Sequence, residues 1–182
     1  MRKKLITAII ALTLALSCLV GVTVAWLYTS TDEVVNTFTP SDIEISLTED
    51  PERTFQMIPG VSYTKNPVVA VDGIKTNVDI YLFVKIEEAG ATQWLEYTTT
   101  LTEANEWYKV PGENNVWYRV VKTTDTLKEW HILAGDTVKI SENLTKDQMP
   151  TSNPTLTFTA YAIQQVGFNT PEAAWAEASK LG

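Results

Sequence analysis

The chain has 182 residues, a length that suits one domain with one hydrophobic core. It carries 22 acidic and 14 basic residues, and a net charge of −8 disfavours nucleic acid as a partner, because phosphates are bound by clusters of lysine and arginine. The single cysteine, Cys18, excludes a disulfide within the chain, so we expect stability to come from hydrophobic packing.

The first 25 residues have the order of a secretory signal peptide. Basic residues at positions 2–4 precede an apolar run over 5–24. The small residues Thr23 and Ala25 stand at the −3 and −1 positions of a cleavage site before Trp26. The sequence therefore predicts export, with a signal peptidase as the partner that cuts the chain after Ala25.

Cleavage there leaves residues 26–182 as one secreted domain, and we expect contact with the membrane only through the signal segment, before the cut. Two other interpretations stay open. An apolar run of about twenty residues is long enough to anchor an uncut chain in a bilayer. The sequence Ala15-Leu16-Ser17-Cys18 also resembles a lipoprotein cleavage box, although the apolar run continues past Cys18.

The mature sequence predicts short strands joined by turns. Residues 43–47 alternate between apolar and polar, as expected of a half-buried strand. The run 61–71 contains Pro67, which favours an edge or a bulge. The segment 79–86, DIYLFVKI, is apolar at nearly every position and predicts a central strand covered on both faces.

Residues 107–110 and 116–121 flank a turn containing Pro111-Gly112 and predict a hairpin in which Val110 pairs with Val116. In that register the cross-strand pairs are Tyr108 with Tyr118 on one face, and Lys109 with Trp117 and Trp107 with Arg119 on the other. The second face would carry two cation–π contacts. We expect that face to point outward.

The C-terminal part predicts a second hairpin, a long strand and a helix. The hairpin joins 130–133 to 137–140 through Gly135, and the strand covers 155–165. Thr170 and Pro171 suit the cap and first turn of a helix, which we expect to dock on the sheet edge. The apolar stripe of this helix consists of Trp175, Ala178 and Leu181.

Together these elements predict an all-β fold: an antiparallel jelly-roll-like sandwich with an N-terminal signal helix and a short C-terminal helix.

Several stretches, taken in order, resemble the TasA and camelysin (CalY) family, which Gram-positive bacteria export through the signal peptidase SipW. The stretches that carry the resemblance are Val24-Ala25-Trp26-Leu27, Asn36-Thr37-Phe38, Ile43-Glu44-Ile45-Ser46-Leu47, Met57-Ile58-Pro59-Gly60, Lys65-Asn66-Pro67-Val68-Val69, the 79–86 strand, Ala160-Tyr161-Ala162-Ile163-Gln164 and Ala173-Ala174-Trp175. The chain departs from the family pattern at Tyr28, at Asn66, where an acidic residue is usual, and at Phe83-Val84-Lys85.

The resemblance implies a jelly-roll domain secreted to the cell surface or the extracellular matrix. Relatives assemble into biofilm matrix fibres by a mechanism that resembles donor-strand complementation, in which the freed N-terminus of one subunit completes the sheet of the next. The resemblance therefore implies self-association into a homopolymer, with other matrix proteins as further partners. Camelysins have also been classed as metallo-endopeptidases.

The residues themselves disfavour catalysis. A catalytic zinc takes about three protein ligands, commonly histidines in a spacing such as H-E-x-x-H. The only histidine is His131, and no such motif surrounds it. We predict that the protein is not an enzyme and that it holds no metal or cofactor, with the metallo-endopeptidase as the least favoured alternative.

Two binding hypotheses follow from exposed strands. Behind the cleavage site, residues 33–38 alternate in strand fashion, so cleavage frees 26–39 as a donor strand for self-assembly. The self-assembly residues are Val34, Val35, Asn36 and Phe38. The alternative function is a cell-surface adhesin or glycan-binding module in which Trp107 and Trp117 form an aromatic binding face. The leading prediction is a structural protein of the extracellular matrix.

Overall fold

The structure, a computed structural model, describes residues 42–50 and 54–181, all of which belong to one compact unit, Pro40–Gly182. The predicted signal peptide over 1–25 and the predicted donor strand over 26–39 lie outside the described residues, and both stay predictions.

The described residues form ten strands and one α-helix. The strands are β1 Ile45–Thr48, β2 Ser62–Thr64, β3 Val68–Val71, β4 Ile80–Ala89, β5 Leu95–Glu96, β6 Tyr108–Lys109, β7 Val116–Val121, β8 Glu129–His131, β9 Thr137–Ile140 and β10 Thr155–Gln164, and the helix is α1 Pro171–Ala178. Short 3₁₀ turns cover Thr92–Trp94, Glu103–Asn105, Ala134–Asp136, Lys146–Gln148 and Ser179–Leu181.

The strands form three sheets in which every pairing is antiparallel. The first sheet has the order β1-β3-β8, the second β10-β4-β7-β6 and the third β2-β9-β5. The prediction of a mainly β, antiparallel fold with a short C-terminal helix is confirmed.

Strand β4 lies in the middle of the second sheet and is buried on both faces. On one face Ile80, Leu82 and Val84 pack in a hydrophobic cluster with Val69 and Val71 of the first sheet. This contact between the two sheets forms the sandwich-like core. On the opposite face Tyr81 and Phe83 belong to a second cluster, which includes side chains of α1. The prediction of a central strand covered on both faces is confirmed.

Helix α1 begins as its sequence predicts. The Thr170 hydroxyl oxygen accepts a hydrogen bond from the Ala173 N–H (3.3 Å), and Pro171 occupies the first turn. The predicted docking on a sheet edge is wrong, because α1 packs on a sheet face. The ring of Trp175 lies 5.3 Å from that of Phe83 and 5.1 Å from that of Tyr161, so aromatic residues on β4 and β10 determine where the helix sits.

The predicted hairpin between 130–133 and 137–140 is also wrong. Strand β8 pairs with β3 in the first sheet, whereas β9 pairs with β2 and β5 in the third. Between them Gly135 and Asp136 both have positive φ, at 67° and 51°. Their left-handed backbone redirects the chain from one sheet to another.

The predicted strand over 61–71 is divided at Pro67. Its first part becomes β2, an edge strand of the third sheet, and its second part becomes β3, the central strand of the first. Pro67 itself is buried, and its carbonyl oxygen accepts a hydrogen bond from the Ile132 N–H (2.9 Å).

Removing the Trp175 ring should destabilise the domain, because this side chain is only 8% exposed. We expect Trp175→Ala to lower the free energy of unfolding by about 3–5 kcal/mol. Trp175→Phe keeps most of the ring area but loses the hydrogen bond from Nε1 to Glu113 Oε1 (3.0 Å), so it should cost about 1 kcal/mol. Urea denaturation measures both values. Equal losses for the two variants would contradict this account of the helix contact.

Candidate functional site

Two strand edges on one side of the sandwich have no partner strand within the described residues. Strand β10 pairs only with β4, and β1 pairs only with β3. Strand β1 contacts β10, so the two edges lie on the same side of the sandwich. We call the space along these edges the β1–β10 groove.

The walls of the β1–β10 groove are apolar and incompletely buried. Its inward-facing side chains pack on the first hydrophobic cluster but remain half-buried, whereas their neighbours on β4 are fully buried. These side chains are Ile43, Ile45, Leu47, Leu156, Phe158, Ala160 and Ala162. The groove thus exposes core-type residues along its whole length.

Hydrogen bonds fix which backbone groups of β10 point into the groove. The Ile86 N–H donates to the Asn115 carbonyl (3.0 Å), so even-numbered residues of β4 direct their backbone groups toward β7. The Gln165 N–H donates to the Asp79 carbonyl (2.8 Å), so odd-numbered residues pair with β10. In the observed register Tyr161 stands opposite Phe83. The even-numbered residues of β10 therefore direct their N–H and C=O groups to the open edge.

The same reasoning applies to β1. The Asp72 N–H donates to the Glu44 carbonyl (2.9 Å), whereas the Val71 N–H donates to the Lys128 carbonyl on the β8 side (2.8 Å). Ile45 and Leu47 consequently direct their backbone groups away from β3. Among the described residues, no strand pairs with the outward backbone donors and acceptors of either wall, and an added strand requires such groups.

The edge of β10 lacks the usual protection of an exposed strand. Proteins commonly protect such edges with lysine, other charged residues or proline. The sequence of β10, TLTFTAYAIQ, contains no charged residue and no proline over its ten positions. A long, uncharged, apolar edge of this kind favours the addition of another strand.

A cavity of about 570 Å³ opens at one end of the β1–β10 groove. Leu47, Leu156 and Phe158 line it from the groove strands, and Tyr63 and Val138 line it from the third sheet. Its volume lies in the range of cavities that hold a small molecule or several side chains of a partner. The cavity can therefore take up bulky apolar side chains of a strand that enters the groove.

One ion pair contributes to the wall of this cavity. The Lys65 ammonium contacts the Glu49 carboxylate, and both side chains are mostly buried. The ammonium also lies 5.9 Å from the ring centres of Phe55 and Phe158. These contacts compensate the charge of Lys65, so the cavity offers a polar position within an apolar surface.

The hairpin of β6 and β7 has the predicted register. Tyr108 stands opposite Tyr118 and Lys109 opposite Trp117. Lys109 Nζ lies 5.2 Å from the Trp117 ring centre, which confirms the first predicted cation–π contact. The Arg119 guanidinium lies 5.4 Å from the Trp107 ring centre, which confirms the second.

The prediction that this hairpin face points outward is wrong. Trp107 is 1% exposed and Arg119 is 6% exposed, because the face packs against the first sheet. Trp107 is a core residue and cannot stack on a ligand in solution. Trp117 is half-buried, so the predicted aromatic binding face of Trp107 and Trp117 keeps only one of its two rings accessible.

Trp130 completes the surroundings of Arg119. Its ring centre lies 4.2 Å from the guanidinium, and the ring is perpendicular to that of Trp107. Arg119 donates to the Glu106 carboxylate (2.9 Å), while its buried Nε–H has no partner among the described residues. Burial lowers the pKa of Arg119, and the Glu106 carboxylate opposes that shift. The local sequence around the hairpin does not indicate Trp130 as the third member of this stack, because Trp130 belongs to β8.

His131 pairs with an acidic residue of the following turn. Its Nδ1 lies 3.0 Å from Asp136 Oδ1, and both side chains are substantially exposed. Within residues 42–50 and 54–181, no three His, Cys, Asp or Glu side chains cluster closely enough to hold a metal ion. Over the same residues, no helix has the length and apolar content needed to cross a membrane.

The predicted residues of the cleavage site and of the donor strand lie outside the described residues. They are Thr23, Ala25, Trp26, Val34, Val35, Asn36 and Phe38. Comparison of the chain with protein-family models, curated proteins and solved structures found no match.

The two tryptophans of the hairpin should differ in their effect on stability. We expect Trp107→Ala to lower the free energy of unfolding by about 3–5 kcal/mol, because the ring is fully buried and covers Arg119. Trp117→Ala should cost about 1–2 kcal/mol, because its ring is only half-buried. Denaturant unfolding of the two variants provides the measurement. A larger loss for Trp117→Ala would contradict the inward orientation of Trp107.

Proposed function

We propose that this protein is a secreted structural subunit of an extracellular matrix, which self-assembles into fibres by strand addition. In this proposal residues 26–39 of one copy, freed by cleavage after Ala25, pair with β10 of the next copy. The proposal includes the jelly-roll topology that the family resemblance implies for the sandwich. The protein works without a cofactor, and its main partner is a second copy of itself.

The observation that carries the proposal is the edge of β10. It offers ten residues of uncharged strand whose even-numbered backbone groups have no partner in the described part of the chain. The 26–39 segment is long enough to pair with all of β10. A strand in the β1–β10 groove would form the ladder hydrogen bonds that an edge leaves unmade and would cover the half-buried side chains.

The side-chain pattern of the segment also suits the groove. In an extended strand, Val34 and Phe38 would lie on the same face, with Asn36 between them. Directed into the groove, the two apolar side chains would meet apolar walls such as Leu156 and Phe158. Burial of apolar surface yields about 25 cal/mol per Å², so this face supplies much of the driving force.

Deletion of Trp26–Thr39 tests the donor. We expect the exported variant to remain folded and monomeric while the unaltered protein forms fibres, because the groove would lose its donor strand while the contacts among residues 42–50 and 54–181 would be kept. Electron microscopy and light scattering measure assembly, and circular dichroism measures folding. Fibres that form at the unaltered rate without this segment would exclude it as the donor strand.

Ala160→Pro tests the acceptor. Its N–H points to the open edge, so proline removes a donor that β4 does not use, while it blocks a new strand. We expect loss of fibres with at most about 1–2 kcal/mol loss of stability. Ala160→Ser is the matched control, since it keeps the N–H and should still assemble. Assembly of Ala160→Pro at the rate of the control would exclude this edge as the acceptor.

Two other functions stay predictions. The adhesin or glycan-binding module now depends on Trp117, whose ring is partly accessible beside Lys109. A glycan array with the unaltered protein and with Trp117→Ala tests it, and no binding by the unaltered protein would remove it. The metallo-endopeptidase alternative predicts casein cleavage that a chelator abolishes and zinc restores.

A further inference from the structure

The outer edge of the second sheet ends in a short strand that covers only part of its neighbour. Strand β6 has two residues, which pair with Tyr118 and Trp117 of β7. Just before β6, Glu106 has a left-handed backbone (φ 61°), and its N–H donates to the Glu103 carbonyl (3.0 Å). Among the described residues no further pair joins the two strands, so the end of β7 borders a notch in the sheet edge.

The notch combines aromatic, apolar and charged side chains, and we call it the tyrosine notch. Its volume is about 510 Å³, within the range of sites that hold a small molecule. Tyr108 and Tyr118 form its aromatic wall, and Leu127 adds an apolar side chain that is 60% exposed. Its polar residues are Glu106, Arg119, Lys122, Asp125 and Thr126.

The two tyrosine rings lie on the part of the sheet face away from helix α1. Tyr108 and Tyr118 stand opposite each other on neighbouring strands, and their ring centres are 5.8 Å apart. The helix contacts β4 and β10 instead. Tyr108 therefore remains 43% exposed. Two adjacent rings with exposed area offer an aromatic surface against which the C–H groups of a ligand can pack.

Arg119 supplies hydrogen-bond donors to the tyrosine notch. Its guanidinium donates to the Asn105 carbonyl (3.3 Å) and to the Glu106 carboxylate (2.9 Å). A guanidinium has five N–H groups, so these two bonds leave donors unused. The buried Nε–H is one of them, since it has no partner within residues 42–50 and 54–181. Because an unpaired buried donor is unfavourable, an acceptor oxygen that reaches this guanidinium is bound favourably.

Two carboxylates supply acceptors beside these donors. The Lys122 N–H donates to Asp125 Oδ2 (2.8 Å), and this bond holds the Asp125 carboxylate in place at the notch. The Glu106 side chain is 77% exposed although it pairs with the buried Arg119, so its carboxylate is accessible to a ligand. The two acids, Glu106 and Asp125, balance the two cations, Arg119 and Lys122, and the notch has no formal net charge.

This combination matches the chemistry of a neutral sugar. Each sugar hydroxyl both donates and accepts, so it can bond a carboxylate oxygen and an N–H group at the same time. The C–H face of a pyranose ring is apolar and packs against an aromatic ring. A phosphate or sulfate would meet two carboxylates beside the two cations, and the repulsion would offset the attraction.

We propose that the tyrosine notch binds a neutral pyranose unit of an oligosaccharide, whose ring packs on Tyr108 and whose hydroxyls bond Arg119 and the two carboxylates. The site does not depend on strand addition, because β6 and β10 lie at opposite edges of the second sheet. It also differs from the aromatic face of Trp107 and Trp117, because neighbouring residues of a strand point to opposite faces.

Calorimetric titration of the full exported chain tests the site. The probes are four neutral trisaccharides, namely cellotriose, maltotriose, mannotriose and chitotriose, and one anionic probe, a heparin tetrasaccharide. We expect at least one neutral probe to bind. Tyr108→Ala should weaken its affinity about tenfold or more, because the substitution removes the ring on which the sugar packs. No binding by any neutral probe, or tighter binding of the heparin probe, overturns the inference.

Matched variants separate the tyrosine notch from the other face of the hairpin. Tyr108→Phe keeps the ring and should keep the affinity within about threefold. Trp117→Ala removes a ring from the opposite face and should leave the affinity unchanged. A loss with Trp117→Ala that equals or exceeds the loss with Tyr108→Ala overturns the inference and places the sugar on the Trp117 face.

Leu127→Ser provides a test that does not depend on the packing of the two tyrosines. Its side chain is mostly exposed, so the variant should unfold at the same denaturant concentration as the unaltered protein. We expect its affinity for the bound trisaccharide to fall about threefold, because the notch loses an apolar contact. Unchanged affinity for both Leu127→Ser and Tyr108→Ala overturns the inference, even if a neutral trisaccharide binds elsewhere on the protein.

Discussion

The burial of β4 on both faces is the constraint on which the rest of the structure depends. Its even-numbered side chains close the core against the first sheet, and its odd-numbered side chains bind the helix. A strand with two apolar faces must have both of them covered, and each fully buried side chain of this kind contributes about 1.5–3 kcal/mol. Because β7 occupies one edge of β4, β10 must occupy the other. In this arrangement the outer edge of β10 has no partner strand among residues 42–50 and 54–181.

The stack of Arg119 between two tryptophans shows how the same core accepts a charge. A buried guanidinium is costly to desolvate, and here two aromatic faces and the Glu106 carboxylate compensate for that cost. The stack joins β7 of the second sheet to β8 of the first through Trp130. It thereby fixes how the two sheets face each other, which purely apolar packing specifies less strictly.

Sequence patterns correctly predicted the elements that are determined by residues close together in the sequence. The apolar run of β4, the register of the β6–β7 hairpin and the cap at Thr170 each depend on a few neighbouring residues, and all three are confirmed. The partners of β8 and β9 were predicted wrongly, because left-handed residues in the intervening turn send them to different sheets. The burial of Trp107 could not be predicted from neighbouring residues either. Its face carries Arg119, and that face is buried because Trp130, which is distant in the sequence, packs on it.

Only part of the candidate site could be predicted, because a strand is a local property but its pairing partners are not. Alternation along 155–164 indicates a strand, but nothing in those residues tells which side of it remains unpaired. That information comes from the order of the strands in the sheet. The order follows from the need to cover both apolar faces of β4. The groove, its cavity and its half-buried walls are therefore properties of the whole fold.

The net charge of the chain determines the salt concentration at which another copy can approach an edge of this kind. A chain with net charge −8 repels its copies over a range that depends on salt, since the Debye length falls from about 30 Å at 0.01 M to about 8 Å at 0.15 M. Apolar contacts in the groove act only over short distances. Added salt should therefore accelerate assembly, whereas contacts held by ion pairs would be weakened by it. Under the proposed function, the acidic surface would keep the subunits apart until screening lets the uncharged edge of β10 meet its donor strand.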